Sequence, residues 1–340
     1  MKLDQRKRQV LYAIVHNYIQ TAEPVGSRTI SRRYDLGVSP ATIRNEMADL
    51  EEMGLLEQPH TSAGRIPSDR GYRFYVDSLL RIPALTKQEI TLMKRILSSR
   101  MRSAEEIVQQ LAKLLSALTN YTAIVLGPRE TQVKLRQVQL IPLNDYQLYL
   151  VGVTDGGLLL NRMIDIPSGV DAETLESLQR WLNERLAGRP LDQIQTNDLH
   201  ALKYEMQVSI DLIESVMDEL LGSVNQHEVG KVYLGGTTNI LNQPEFHDLQ
   251  KVRAILELLE EDVLVWEAVS QASGDGITVS IGSENPEGVM QECSLVTAEY
   301  RLGDGLRGHF GLLGPTRMDY DRVLALVQGV CTTLQQLFNM

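Results

Sequence analysis

Apolar positions in the first eighty residues recur at helical spacing in short, separated segments. Val10, Leu11, Ile14, Val15, Tyr18 and Ile19 form the stripe of an amphipathic helix that Pro24 stops. Ser27 is the expected N-cap of a second, shorter helix with Ile30 and Tyr34 facing inward, closed at Leu36 and Gly37. Ser39 is placed to cap a third helix with Pro40 in its first turn, where a missing N–H costs nothing. Three helices with a short glycine-containing turn before the third predict a helix-turn-helix.

On the third helix Ile43, Met47 and Leu50 keep the i, i+4, i+7 spacing of a core face, leaving Ala41, Thr42, Arg44, Asn45 and Ala48 outward. Arginine, asparagine and threonine read base edges, and alanine permits close approach, so the leading end suits a major groove. Asp49, Glu51 and Glu52 crowd the far end, away from phosphates. After Gly54, "LLEQPHTSAGRIP" predicts a strand, a turn and a return strand, a wing directly behind the third helix. Arg65 is expected near the wing tip, within reach of a minor groove or a phosphate, with His60, Thr61 and Ser62 as phosphate donors. Ser27 and Arg28, at the start of the second helix, and Ser39 complete the candidate DNA-binding set. Tyr72, Tyr75 and Leu79 resume helical spacing beneath the wing and are assigned to the core.

Further along, "RIPALTKQEITLMKRILSS" and "AEEIVQQLAKLLSALTNY" predict linking helices, followed by strands at "TAIVLGP", "KLRQVQLIP", "YQLYLVGVT" and "GLLLNRMIDI". Residues 171–229 turn to helical periodicity. Strand character returns at "KVYLGG", "VLVWEAV", "GITVSIG", "CSLVTAEYRL" and "LRGHFGLLGP", before a last helix from about Asp319 to Phe338. The expected fold class is α+β and multidomain, with one sheet domain interrupted by an insertion. Its expected parts are a winged-helix domain over 1–80, linker helices over 81–118, a mixed domain over 119–170 and 230–340, and an inserted domain over 171–229.

Charge changes this picture only when divided along the chain. The 340 residues carry a formal net charge of −11, which by itself argues against a phosphate-rich partner. Residues 1–81, however, hold 12 lysines and arginines against 10 acids, and the remainder 21 against 34. A mildly basic front on an acidic body fits a DNA-reading module on a regulatory body. Two cysteines, Cys293 and Cys331, form no metal-ligand spacing, and their rarity suits a reducing compartment, with a lone disulfide between them left open. No apolar run reaches the ~18 to 20 residues of a membrane span, and the start "MKLDQRKRQV" lacks the apolar core of a signal peptide, so a cytoplasmic protein is expected.

Other chemistry is weakly signalled. "GDGLRG" matches the dinucleotide fingerprint in letters, but a strand follows where a helix is required, so a hairpin turn is expected. "LGGTTN" lacks the lysine of a phosphate loop and is assigned to a strand-to-helix turn. In "GPTRMDY", Thr316 and Asp319 are available to cap the last helix, and Arg317 is expected to pair with a carboxylate. No zinc spacing and no nucleophile elbow occurs, and no cofactor is called for.

The stretch "SPATIRNEMADLEEMGLLEQPHTSAGRIPSDRGYRFYVD" resembles the winged-helix region of the HrcA family, the heat-inducible transcription repressors of bacteria. "VYLGGTTNILNQPEF" and "GLRGHFGLLGPTRMDYDRV" resemble the same family, so the likeness spans essentially the whole chain. It implies a homodimer on double-stranded DNA at an inverted-repeat operator of chaperone genes, with activity coupled to a GroE-type chaperonin. It also implies a GAF-like domain carrying an inserted dimerisation domain. Two other classes stay open at this point: a repressor whose GAF-like body binds a small metabolite, and an enzyme with an accessory winged helix, for which no nucleophile and base can be named.

Overall fold

A computed structural model describes residues 3–60, 64–98, 104–127, 129–130, 134–154, 159–166, 170–189, 212, 215–216, 231–246, 248–274, 276–285, 288–302 and 306–338. The chain divides into two compact units, one of residues 1–128 with 231–340 and the other of residues 129–230.

The first unit opens with helices α1 (Gln5–Thr21), α2 (Ser27–Arg33) and α3 (Pro40–Glu52). Asp4 caps α1 by accepting from the Lys7 N–H at 2.8 Å, and Ala22, in the left-handed region at φ 55°, ends it two residues before Pro24. Val10, Leu11, Ile14 and Val15 of α1 meet Ile30 of α2 and Ile43, Met47 and Leu50 of α3 in one core. Full burial of each such aliphatic side chain contributes about 1.5 to 3 kcal/mol. Strands β1 (Leu56–Glu57) and β2 (Ile66–Pro67) pair antiparallel as Leu56 with Pro67 and Glu57 with Ile66, and α4 (Asp69–Ser78) follows. Tyr72 and Tyr75 of α4 are buried, as expected of core residues.

Helices α5 (Lys87–Leu97) and α6 (Ala104–Thr119) lead into an antiparallel sheet. Its strands lie in the order Val232–Gly235, Thr122–Leu126, Leu306–Pro315, Cys293–Leu302, Ile277–Ile281. Strand Cys293–Leu302 is buried almost without alternation, the mark of a strand covered on both faces. The terminal helix Tyr320–Phe338 and the helix Asp262–Ala272 both pack on it. At Gly235 a Cβ would stand 2.3 Å from the Ala112 carbonyl oxygen, so only glycine lets α6 lie this close to the edge strand.

Two expectations are corrected here. "VLVWEAV" belongs to the helix Asp262–Ala272, not to a strand. Val265, Trp266, Ala268 and Val269 are its buried residues, a helical stripe that outweighs the β preference of its valines. The strands between residues 135 and 165 do not join the main sheet. They form their own three-stranded meander, so the second unit begins at Arg129, where an insertion was expected only from 171. Cys293 and Cys331 are both free, Cys293 buried and Cys331 half-buried, so the disulfide left open does not form.

In the second unit, strands Leu135–Asn144, Gln147–Thr154 and Leu159–Asp165 pair in sequence, and α7 (Ala172–Leu186) packs on them through Leu175, Leu178, Leu182 and Leu186. Asn183 accepts from the Val138 N–H and donates to its carbonyl, both at 2.8 Å, and Gln179 accepts from the Leu140 N–H at 2.8 Å. Side-chain amides of a helix thus satisfy an edge strand that would otherwise present free ladder groups. Most of the helical stretch expected after residue 190 lies outside the described residues. Among the described residues, no helix is long and apolar enough to cross a membrane.

Candidate DNA-binding face

The leading end of α3 is built by its cap. Ser39 is extended at φ −68°, ψ 155°, and its Oγ accepts from the Thr42 N–H at 3.2 Å. The Thr42 hydroxyl lies 3.0 Å from the same oxygen, so Ser39 and Thr42 are tied to each other and Thr42 is half-buried. With Ile43, Met47 and Leu50 fixed in the core, Ala41, Arg44, Asn45 and Ala48 fall at i, i+3, i+4 and i+7 on the opposite face, all exposed. Among the described residues, no hydrogen bond or ion pair engages Arg44, Asn45 or Arg28.

Three of the four acids of α3 have partners. Lys7 of α1 reaches Glu46 at 2.9 Å and Asp49 at 2.8 Å, and Arg6 lies 3.7 Å from Glu46. Hydrogen bonds to Asp49 and Glu46 push the Lys7 ammonium well above its ordinary value. Glu51 holds Arg65. Glu46, Asp49 and Glu51 are therefore tied to cations of α1 and to Arg65, while Glu52 stays exposed at the far end of the helix, so the leading turn is the end of α3 free of acids. Lys7 and Glu46 escaped the sequence reading, because a cation and an acid thirty-nine residues apart have no periodic signature.

The remaining expected residues fall differently. Ser27 is the first residue of α2 rather than its cap; the cap position is Gly26, with no side-chain bond. Val25 pairs with Arg65, which keeps the backbone extended through Gly26, so the helix starts one residue later. Arg28 is exposed, and His60 is exposed on the bend after β1. Thr61 and Ser62 lie outside the described residues. Arg65 stands at the base of the return strand, bonded to Val25 and Glu51.

Helix α4 joins this head to the sheet. Arg73 donates from Nε to Glu284 at 2.8 Å, and from Nη2 to the other Glu284 oxygen and the Val279 carbonyl. Asp69 accepts from the Ser283 N–H at 2.9 Å, and the Tyr75 hydroxyl donates to Asp321 at 2.7 Å. Arg317 is paired with Glu245, as expected, and Asp319 caps the terminal helix through the Arg322 N–H. Among the described residues, no group of His, Cys, Asp and Glu is placed to hold a metal ion.

Residues 2–76 match the family description "Winged helix-turn-helix transcription repressor, HrcA DNA-binding", and residues 105–324 match "HrcA protein C terminal domain". The heat-inducible transcription repressor HrcA of Pelotomaculum thermopropionicum is 45% identical over 340 residues, covering all of this chain and 98% of that protein. The chain belongs to the HrcA family. The Brevibacillus brevis repressor HrcA is 46% identical over 337 residues, 99% of this chain and 98% of its own length. A crystal structure described as that of a hypothetical protein superposes with a TM-score of 0.60 at 26% identity, covering 99% of each chain. HrcA membership thus extends across the winged helix and the body alike.

Proposed function

We propose that this HrcA-family chain is a cytoplasmic repressor of heat-shock genes that binds an inverted-repeat operator as a homodimer. One observation carries the reading: the outward face of α3 presents Ala41, Arg44, Asn45 and Ala48 at its leading end, while Glu46, Asp49 and Glu51 are drawn off by Lys7 and Arg65 and Glu52 stands at the far end of the helix. Such a face can enter a major groove without bringing carboxylates to the phosphates. Arg44 and Asn45 are the base readers in this proposal. Arg28, Ser27 and His60 serve the backbone, as do Thr61 and Ser62 at the wing tip, and Ser39 with Thr42 shapes the turn that leads into the groove.

A single winged helix makes few base contacts, and a two-fold axis doubles them on a palindromic site. The body sheet is read as the GAF-like domain, the second unit as the dimerisation insert, and a GroE-type chaperonin as the modulating partner; family resemblance supports these assignments. Footprinting of the purified chain on DNA upstream of chaperone genes from its own genome tests the function. Protection of two symmetric half-sites is the expected result, and binding with no sequence preference overturns it.

A further inference from the structure

We propose that Arg65 is a positioning residue for operator binding, with Glu51 as its partner. The pair seats the wing's return strand against the far end of α3 instead of offering the guanidinium to DNA. This rests on the repressor reading above and assigns the wing a different role for its arginine from the one its sequence suggested.

Three independent features place the strand. Arg65 Nε donates to Glu51 Oε2 at 2.8 Å and Nη2 stands 2.7 Å from the same oxygen in an ion pair, with the arginine side chain 19% exposed and the glutamate 33%. The Arg65 backbone exchanges both hydrogen bonds with Val25, each 2.9 Å, which stitches the return strand to the turn before α2. Beside it, a Cβ on Gly64 would lie 2.4 Å from the Val25 carbonyl carbon and oxygen, so the two backbones touch in a way that only glycine permits. Arg65 is therefore the point where the α1–α2 turn, the wing and the rear of the reading helix meet.

The charge argument agrees with the geometry. A guanidinium held in a hydrogen-bonded ion pair with a carboxylate is largely neutralised locally, and a neutral pair releases no counterion from DNA. What the pair controls is where the return strand stands when α3 is in the groove, and backbone contacts set the register of a protein on its duplex. Loss of either partner should cost affinity through misplacement of the wing and leave the salt dependence alone.

The test uses the full-length chain and a duplex carrying the footprinted inverted repeat, with binding measured across a salt series. Arg65→Gln and Glu51→Gln should each weaken operator binding by a similar factor, about 3- to 10-fold, with an unchanged slope of log K against log salt. The exchanged double variant, Glu51→Arg with Arg65→Glu, should recover most of the loss, which a phosphate-contacting Arg65 would not allow. Glu51→Gln changes only charge at a partly exposed site, so it reports even where an Arg65 variant folds poorly. A slope reduced by about one unit in Arg65→Gln, with Glu51→Gln silent, would make Arg65 a phosphate contact and overturn the assignment. Failure of the exchange to restore binding, with the wild-type chain binding normally, would overturn the pairing alone. Failure of the wild-type chain to hold any inverted repeat would overturn the repressor reading first.

Discussion

Arg317 donates to the backbone carbonyl of Ile19 at 2.6 Å, so a residue close to the terminal helix holds the last turn of the first one. The same guanidinium donates to Glu245 at 2.5 Å, and its side chain is only 12% exposed. Helix α1 is packed on the reading helix, and this contact fixes its end to the sheet body.

Arg317→Ala should destabilise the chain by about 2 kcal/mol, because it leaves the Ile19 carbonyl and the Glu245 carboxylate half-buried without their donor. Chemical denaturation followed by circular dichroism measures it. Limited proteolysis should cut first between the winged helix and the sheet. Wild-type stability with unchanged cleavage would show that the contact carries no weight.

Arg44→Ala should cost about 1 to 3 kcal/mol of operator binding and relax preference at one base per half-site, provided that Arg44 grips a guanine. Asn45→Ala should relax a different position. Selection of randomised half-sites by each variant reads both effects. An equal loss on all sequences would assign Arg44 to a phosphate, and unchanged binding would remove α3 from the groove.

The winged helix was legible because its information is local. The cap at Ser39, the Ile43, Met47 and Leu50 stripe and the glycine-containing wing loop lie within a few residues of what they shape. Most strands of the body were legible one by one, but not their assembly. A strand at Leu135–Asn144 and one at Thr122–Leu126 look alike in sequence, and only pairing partners decide that they belong to different sheets. The helix at Asp262–Ala272 was hidden for a related reason, since a short apolar run rich in valine satisfies both periods until its neighbours choose. At the candidate site the exposed readers were visible from periodicity. The pairs that anchor them, Lys7 with Glu46 and Asp49, and Arg65 with Glu51, join residues with no spacing rule between them.

Acid should loosen the packing of α5 on the terminal helix. The Arg322 guanidinium and the Thr86 N–H hold the Glu89 carboxyl at about 2, below its ordinary value. A carboxylate depressed in the folded state adds stability that is complete above its unfolded value, about 4.3, and is lost as pH falls towards the folded one. Glu284 acts in the same direction: burial pushes its carboxyl up, but hydrogen bonds from Arg73 and the Ile281 N–H leave it lowered. Glu89→Gln should therefore be less stable than wild type at pH 7, with the difference shrinking between pH 4.5 and pH 2.5. Denaturation curves at several pH values decide this, and a gap that does not change with pH would contradict it.

The second unit can be removed cleanly, which allows its proposed role in dimerisation to be tested. Its ends emerge next to one another, since the Gly127 N–H donates to the Lys231 carbonyl at 2.9 Å. The strands on either side, Thr122–Leu126 and Val232–Gly235, are already paired in the main sheet, and the short strand Arg129–Glu130 belongs to it too, so a linker of a few residues replacing 131–230 should leave that sheet intact. The removed unit has a core of its own, built from Leu135, Val138, Leu148 and Leu150 against α7, so little of the first unit's packing should go with it. Its strands also expose Ile141, Leu143 and Met163, and the turn between the first two strands exposes Tyr146, side chains that a surface buried between two copies would cover. The excised chain should fold, sediment as a monomer, and lose operator binding while keeping weak, strongly salt-dependent binding to any duplex. Sedimentation velocity and footprinting on the same preparation give both answers. A shortened chain that stays dimeric and protects both half-sites would place the two-fold contact on the sheet domain or on α5 and α6.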